Sequence, residues 1–207
     1  MRASVVNYVD RAPDLAVCGE ANSVNAALEL FERLQPDIVV TDLSLAHRNG
    51  FSLIEDACAR YPLVPILVHS MHSESFHAAK AFRVGAAGYV MKGDSKQLLA
   101  GIRRVLAGEL VFSERVQREI LNHLLEESRD GSQPPLDLLT GPERELFELC
   151  GCRADPAVMA HSLQESPTRV SELLTMIAQK LRIANEVAVF HTAILWFNAK
   201  AEKREMN

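Results

Sequence analysis

The chain has 207 residues, of which 48% are apolar and 24% charged, with a formal net charge of −5 and four cysteines. These values suit a globular protein of one or two domains. They give no bulk electrostatic case for nucleic-acid binding, and no run of about 18 apolar residues is present to span a membrane. The first residues lack the apolar core of a signal peptide. Cys18, Cys58, Cys150 and Cys152 show no disulfide spacing, which fits a reducing cytoplasm.

In chain order, residues 3–10 read as a short helix halted before Pro13, and residues 15–20 (Leu-Ala-Val-Cys-Gly-Glu) as a strand. Ser23 caps a helix whose apolar positions Val24, Ala27, Leu28, Phe31 and Leu34 follow the i, i+3, i+4 rule, and Pro36 ends it. A strand over 37–42 follows, then a helix over 51–60 and a strand over 64–69. A helix over 73–84 stops at Gly85, a strand covers 88–91, and a helix over 95–107 stops at Gly108. Strands alternating with single helices imply βαβ units and a parallel sheet. The strands are apolar throughout, as expected where helices cover both faces. A helix over 114–127 leads to a polar, Gly/Pro-rich linker over 129–135, and the rest reads as four helices over 142–150, 156–163, 168–182 and 185–203.

Three polar side chains fall at strand ends: Asp42, Ser70 and Lys92. In an open parallel sheet that is where ligands bind. Together they suit phosphoryl acceptance: Asp42 as nucleophile, with Lys92 neutralising the phosphoryl oxygens and Ser70 donating a hydrogen bond to one of them. A rival reading, an aspartate-based phosphatase, needs a second Asp two residues on, where Ser44 stands. No enzyme is expected.

With the stretches Gly19-Glu20-Ala21, residues 36–43, Ser70-Met71 and residues 85–92, the chain resembles the receiver domain of two-component response regulators, in the NarL/FixJ branch. The resemblance implies a flavodoxin-like α/β receiver over 1–112, a linker helix and flexible linker over 113–136, and an all-α helix-turn-helix domain over 137–207. It also implies that Asp42 is the phosphoacceptor, that the Tyr89 ring couples to Ser70 as a switch, and that the Ser44 backbone carbonyl joins Asp42 in holding Mg²⁺. That cation further needs an acidic pair at the end of an earlier strand. Residues 3–10 align with the helix after that strand, and Asp10 and Asp14 lie too late to substitute. The expectations are therefore a sheet lacking its first strand, loss of two carboxylates from an octahedral site, and weak or lost phosphorylation. Residues 15–20 then pair directly with 38–42, or face a gap filled by another chain. A start upstream of Met1 would restore the full receiver.

The stretch Leu139-Thr140-Gly141-Pro142-Glu143 resembles the opening of a LuxR-type helix-turn-helix domain. Thr140, Asp155 and Ser166 are placed as helix caps. The second helix of the motif would enter the major groove, and Arg169, Ser171, Glu172, Lys180 and Arg182 are the DNA-contact candidates. Its chemistry is thin, since residues 137–207 carry eight Lys/Arg against ten Asp/Glu. A carboxylate at Glu172 accepts from cytosine but releases no counterion. The implied partners are DNA, a sensor histidine kinase where the receiver functions, and a second copy in a homodimer. The implied role is transcription regulation, the alternative being protein–protein interaction without DNA contact.

Smaller features carry less. Cys150-Gly151-Cys152 with His161 gives too few ligands for a metal and reads as helix packing. His69, His72 and His77 read as polar loop residues near Ser70. Val187, Phe190, Ile194 and Phe197, with Trp196, form an apolar stripe that is either core or a dimerisation face, before a charged tail over 199–207.

Overall fold

In the computed structural model, residues 2–44, 50–71, 74–93, 95–125 and 135–205 are described. Most of the expected linker over 129–135 and His72 lie outside them. The chain divides into two compact units, one of residues 1–82 and 86–112, the other of residues 83–85 and 113–207.

The first unit runs α1 (Arg2–Val9), α2 (Val24–Leu34), β1 (Val39–Thr41), α3 (Gly50–Arg60), β2 (Ile66–Ser70), α4 (Glu74–Arg83), β3 (Gly88–Met91) and α5 (Ser95–Leu106). The strands form a parallel sheet in the order β1-β2-β3, with Val40 opposite Leu67 and Val68 opposite Tyr89. Ile66, Leu67 and Val68 are all buried, so both faces of β2 are covered. On the helical layers α1 packs on α5, and α2 on α3. Ser23 caps α2 as expected, its hydroxyl accepting from the Ala26 N–H at 3.3 Å.

One expected strand is absent. Residues 15–20 form no ladder and pair with neither β1 nor any other strand among the described residues. The Leu15 N–H donates to the Ala12 carbonyl and the Val17 N–H to Asp10 Oδ1 at 3.3 Å. The run has the composition of a strand but no partner edge, and a strand exists only by pairing. Direct pairing of 15–20 with 38–42 does not occur. Across the space between them, Val39 and Val40 stay half-buried while the core of β2 is fully buried.

The second unit contains α6 (Glu114–Leu125), a 3₁₀ turn (Pro135–Leu138), α7 (Gly141–Gly151), α8 (Pro156–Leu163), α9 (Pro167–Leu181) and α10 (Glu186–Glu205). Its core gathers Leu124, Leu146, Phe147, Met159, Ile177 and Leu181 with their neighbours. The Asp155 carboxylate accepts from the Ala157 N–H at 2.8 Å and the Ser166 hydroxyl from the Arg169 N–H at 3.2 Å, so both caps hold.

α7 and α10 make the closest helix pair. A Cβ on Gly151 would stand 2.9 Å from the Ala193 carbonyl oxygen and 3.0 Å from Phe197 Cβ. This contact accounts for the Cys-Gly-Cys motif: Cys150 is buried, its thiol pushed up to about 12 by burial, and Gly151 lets two backbones meet. The inward side of α10 is carried largely by Ala188, Val189 and Ala193, all fully buried. Of the predicted stripe, Phe190 packs partly against the core with Trp196, while Phe197 remains 39% exposed. Small residues won the contact side because only they allow α7 so near. Replacing Gly151 with Val should destabilise this unit by about 1–3 kcal/mol through overpacking. Trp196, the one tryptophan in the chain, reports on this unit, and urea unfolding followed by its fluorescence should show a lower midpoint.

Candidate phosphoryl-acceptor site and nucleic-acid interface

The parallel sheet brings the three strand-end residues together. Asp42 follows β1, Ser70 ends β2 and Lys92 follows β3. The Lys92 ammonium forms a salt bridge with Asp42 Oδ2, reaching across β2 to do so. The Ser44 N–H donates to Asp42 Oδ1 at 3.1 Å. Ser70 is fully buried, and its hydroxyl adds a weaker hydrogen bond to Asp42. Burial alone would push the Asp42 carboxyl up, but the hydrogen bonds from Lys92 and Ser44 outweigh it and hold the group below the usual carboxylate range.

Around this centre the other expected residues fall into place unevenly. Tyr89 is buried within β3, its N–H donating to the Val111 carbonyl at 2.7 Å. Ser44 meets Asp42 through its N–H. His77 stacks on Phe51. His69 is the residue that sequence reasoning undervalued: it is half-buried beside the ion pair. Burial lowers its pKa, the Lys92 charge lowers it further, and Asp42 partly offsets both. Its position one residue before Ser70 was the available signal.

The donor set does not suit a divalent cation, which takes six or more oxygens. Among the described residues no group of three or more His, Cys, Asp and Glu converges. Asp42 supplies a carboxylate already engaged by Lys92 and Ser44. Asp14 pairs instead with Arg103, at 2.7 and 2.9 Å, and its carboxyl falls to about 2. Asp10 accepts from the backbone of Val17.

In the second unit, α8 and α9 form a helix-turn-helix with Gln164 left-handed at the turn (φ 54°). The buried face of α9 carries Val170, Leu173, Leu174, Ile177, Ala178 and Leu181. Arg169, Ser171 and Glu172 are exposed on its other side, and Arg182 is exposed at its C-terminal end. Three of the polar side chains in the first turns are already partnered. Arg169 Nη1 donates to Glu172 Oε2 at 2.8 Å, and the Ser171 hydroxyl donates to Glu186 Oε1 at 2.7 Å.

Lys180 turns inward, with its ammonium 2.5 Å from Oε2 of Glu143, which is fully buried. The same oxygen accepts from the Thr140 N–H (2.7 Å) and hydroxyl (2.8 Å). Burial would raise the Glu143 carboxyl, yet Lys180 and Thr140 together hold it below its ordinary value. The Thr-x-x-Glu spacing is the capping-box pattern, the one signal that could have marked Glu143. No pattern marked Glu186.

A parallel α/β unit with an Asp–Ser–Lys constellation at its strand ends, followed by a helix-turn-helix unit, defines a receiver-type regulator with an all-α output domain. Residues 1–103 match the response regulator receiver domain family. The nitrate/nitrite response regulator protein NarL of Escherichia coli (strain K12) is 26% identical over 188 residues, covering 90% of this chain and 87% of that protein. The DNA-binding transcriptional activator DevR/DosR of Mycobacterium tuberculosis is 27% identical over 197 residues, 94% of this chain and 90% of that one. A solved two-component response regulator of the LuxR family from Aurantimonas sp. SI85-9A1 is 33% identical, with a TM-score of 0.54, covering 60% of this chain and 90% of that one. The chain belongs to the response-regulator family, in its NarL/LuxR branch.

The depressed Asp42 carboxyl fixes a sign for pH dependence. A folded value below the unfolded one contributes stability at pH above the unfolded value, and this is lost as pH falls through the folded value. In Lys92→Met, burial is no longer outweighed by the ammonium, so the Asp42 carboxyl should titrate higher and the stability lost on acidification should shrink. Carboxyl NMR titration, with thermal melts from neutral to acid pH, checks both. An unchanged Asp42 titration would show that Lys92 does not govern this group.

Proposed function

We propose that this chain is a response-regulator-type transcription regulator that binds DNA through α8 and α9, with Asp42 a weak phosphoacceptor. The observation that carries the reading is α9 itself: capped by Ser166, anchored inward by Lys180, and presenting Arg169, Ser171, Glu172 and Arg182 outward. Arg169 and Arg182 are the phosphate-contact candidates, and Ser171 and Glu172 sit where the helix would meet base edges. Lys180 contributes by orienting the helix. DevR/DosR, named as a DNA-binding activator, supports the assignment.

At Asp42 the family's Mg²⁺ would neutralise charge on the incoming phosphoryl group. The described donors do not fit it, so Lys92 is left as the cation beside Asp42, with the Ser70 hydroxyl as a donor. A sensor histidine kinase as donor and a homodimer as the active form belong to the same reading. A second reading, protein–protein regulation without DNA contact, is favoured by the pairing of Arg169 with Glu172, which leaves the outward face of α9 close to neutral.

The two readings separate in a salt-titrated DNA-binding assay. The wild-type chain should bind weakly at low salt. In Glu172→Gln, Arg169 is released to phosphate, so affinity should rise and the log–log salt slope should steepen by about one. No binding by either protein at low salt would sink the transcription reading. With a small phosphodonor and Mg²⁺, little Asp42-dependent label is expected. Strong labelling that disappears in Asp42→Asn would show the site to be a competent acceptor.

A further inference from the structure

Chemistry fixes the direction of the hydrogen bonds on the outer side of α9. A serine or threonine hydroxyl has one proton to give, whereas carbonyl and carboxylate oxygens accept. The Ser171 hydroxyl gives its proton to Oε1 of Glu186, the first residue of α10, at 2.7 Å. The Thr175 hydroxyl gives its proton to the Ser171 carbonyl at 3.0 Å, one turn back along the helix. Glu172 is itself a carboxylate, and its Oε2 accepts from Arg169.

These three side chains stand together. Residues three and four apart are neighbours on a helix surface, so Thr175 lies beside both Ser171 and Glu172. All three are exposed, and the opposite side of α9 is the buried one. With both hydroxyl protons held inside the chain, what the patch offers outward is lone pairs. Thr168 and Gln179, also exposed, can donate or accept and therefore set no preference. Arg169 is a fixed donor, but it sits on the flank of the face, four residues from buried Leu173, where a phosphate contact is expected.

Glu186 maintains this polarity from outside the helix. If the Ser171 proton turned outward, two acceptor oxygens would face each other at 2.7 Å. The carboxylate therefore keeps Ser171 an acceptor towards solvent.

The major groove answers such a patch unequally. Cytosine presents the N4 amino group and adenine the N6 amino group, whereas guanine presents N7 and O6 and thymine O4, all acceptors. Lone pairs on α9 bond the amino groups and are repelled by the keto oxygens. Ser171 and Thr175 are four residues apart, roughly 6 Å along the axis, against about 3.4 Å between base pairs, so the patch spans two adjacent positions.

Resting on the DNA-binding reading above, we propose that α9 selects two adjacent amino-bearing bases, cytosine or adenine in either order, on one strand, and rejects guanine and thymine there. Glu186 is the residue that determines this preference at one of the two positions. It acts through Ser171 as a positioning residue and touches no base itself.

The test is selection of bound duplexes from a random pool by the full chain at low salt, followed by sequencing. Cytosine and adenine should be enriched interchangeably at two adjacent positions of one strand, about tenfold over guanine and thymine, as gain of a hydrogen bond predicts. A selected duplex carrying 2-pyrimidinone, which lacks the amino group, in place of cytosine should lose that factor. Glu186→Ala frees the Ser171 proton, so guanine and thymine should become tolerated at one position while the other stays selected. Ser171→Ala, which leaves α10 untouched, should relax the same position. A uniform loss of affinity with unchanged base preference in both variants would reduce Glu186 to a structural contact and overturn the assignment. Enrichment of guanine, or equal binding of the cytosine and 2-pyrimidinone duplexes, would overturn it as well. Binding without amino preference sinks this proposal alone, whereas retention of no duplex sinks the DNA-binding reading and this proposal with it.

Discussion

The outer edge of β1 is the constraint on which the first unit depends. A parallel strand is stable when helices cover both faces and strands pair both edges. β2 meets all of these conditions, and its core residues are fully buried. β1 is three residues long, pairs on one edge only among the described residues, and stays half-buried at Val39 and Val40. Asp42 hangs from the end of this short strand. Its carboxylate is held there by the Ser44 N–H and by the Lys92 ammonium reaching from the far side of β2. The same ion pair that depresses the Asp42 carboxyl also ties the end of β1 to the end of β3. Chemistry and architecture at this site draw on one interaction, so a change that frees Asp42 to react also loosens its place in the fold.

Much of this was legible in the sequence, for a physical reason. Apolar runs ending in polar residues located β1, β2 and β3, and the caps Ser23, Asp155 and Ser166 marked helix starts, because these signals are local. Residues 15–20 were misread because strandedness is not local: composition gives propensity, and the partner edge decides. The role of Lys180 was hidden for a related reason. A lysine near the end of a presumed recognition helix reads as solvent-facing until the buried carboxylate of Glu143, 37 residues earlier, is placed against it. Ser171 is outward-facing, as read, but its hydroxyl is engaged by Glu186 from the next helix. On α10, the stripe of large apolar residues left core and dimerisation face open, and the close approach to Gly151 selected small residues for the contact side.

The two units treat the charged side chains at their candidate sites alike, by different means. In the first, the Asp42 carboxylate is held by the Lys92 ammonium and the Ser44 N–H. In the second, the outward face of α9 is nearly neutralised by its own Glu172. In both, side chains that would face an anionic ligand are spent on contacts within the chain.

The Glu143 carboxylate has a consequence for how such a domain changes over time. It collects the Thr140 hydroxyl, the Thr140 amide and the Lys180 ammonium on one buried oxygen, locking α9 to the start of α7 from the inside. The pitch and roll of α9 are thereby fixed from its buried side. Mutations on that side can accumulate, reverse or invert charge while the helix keeps its posture.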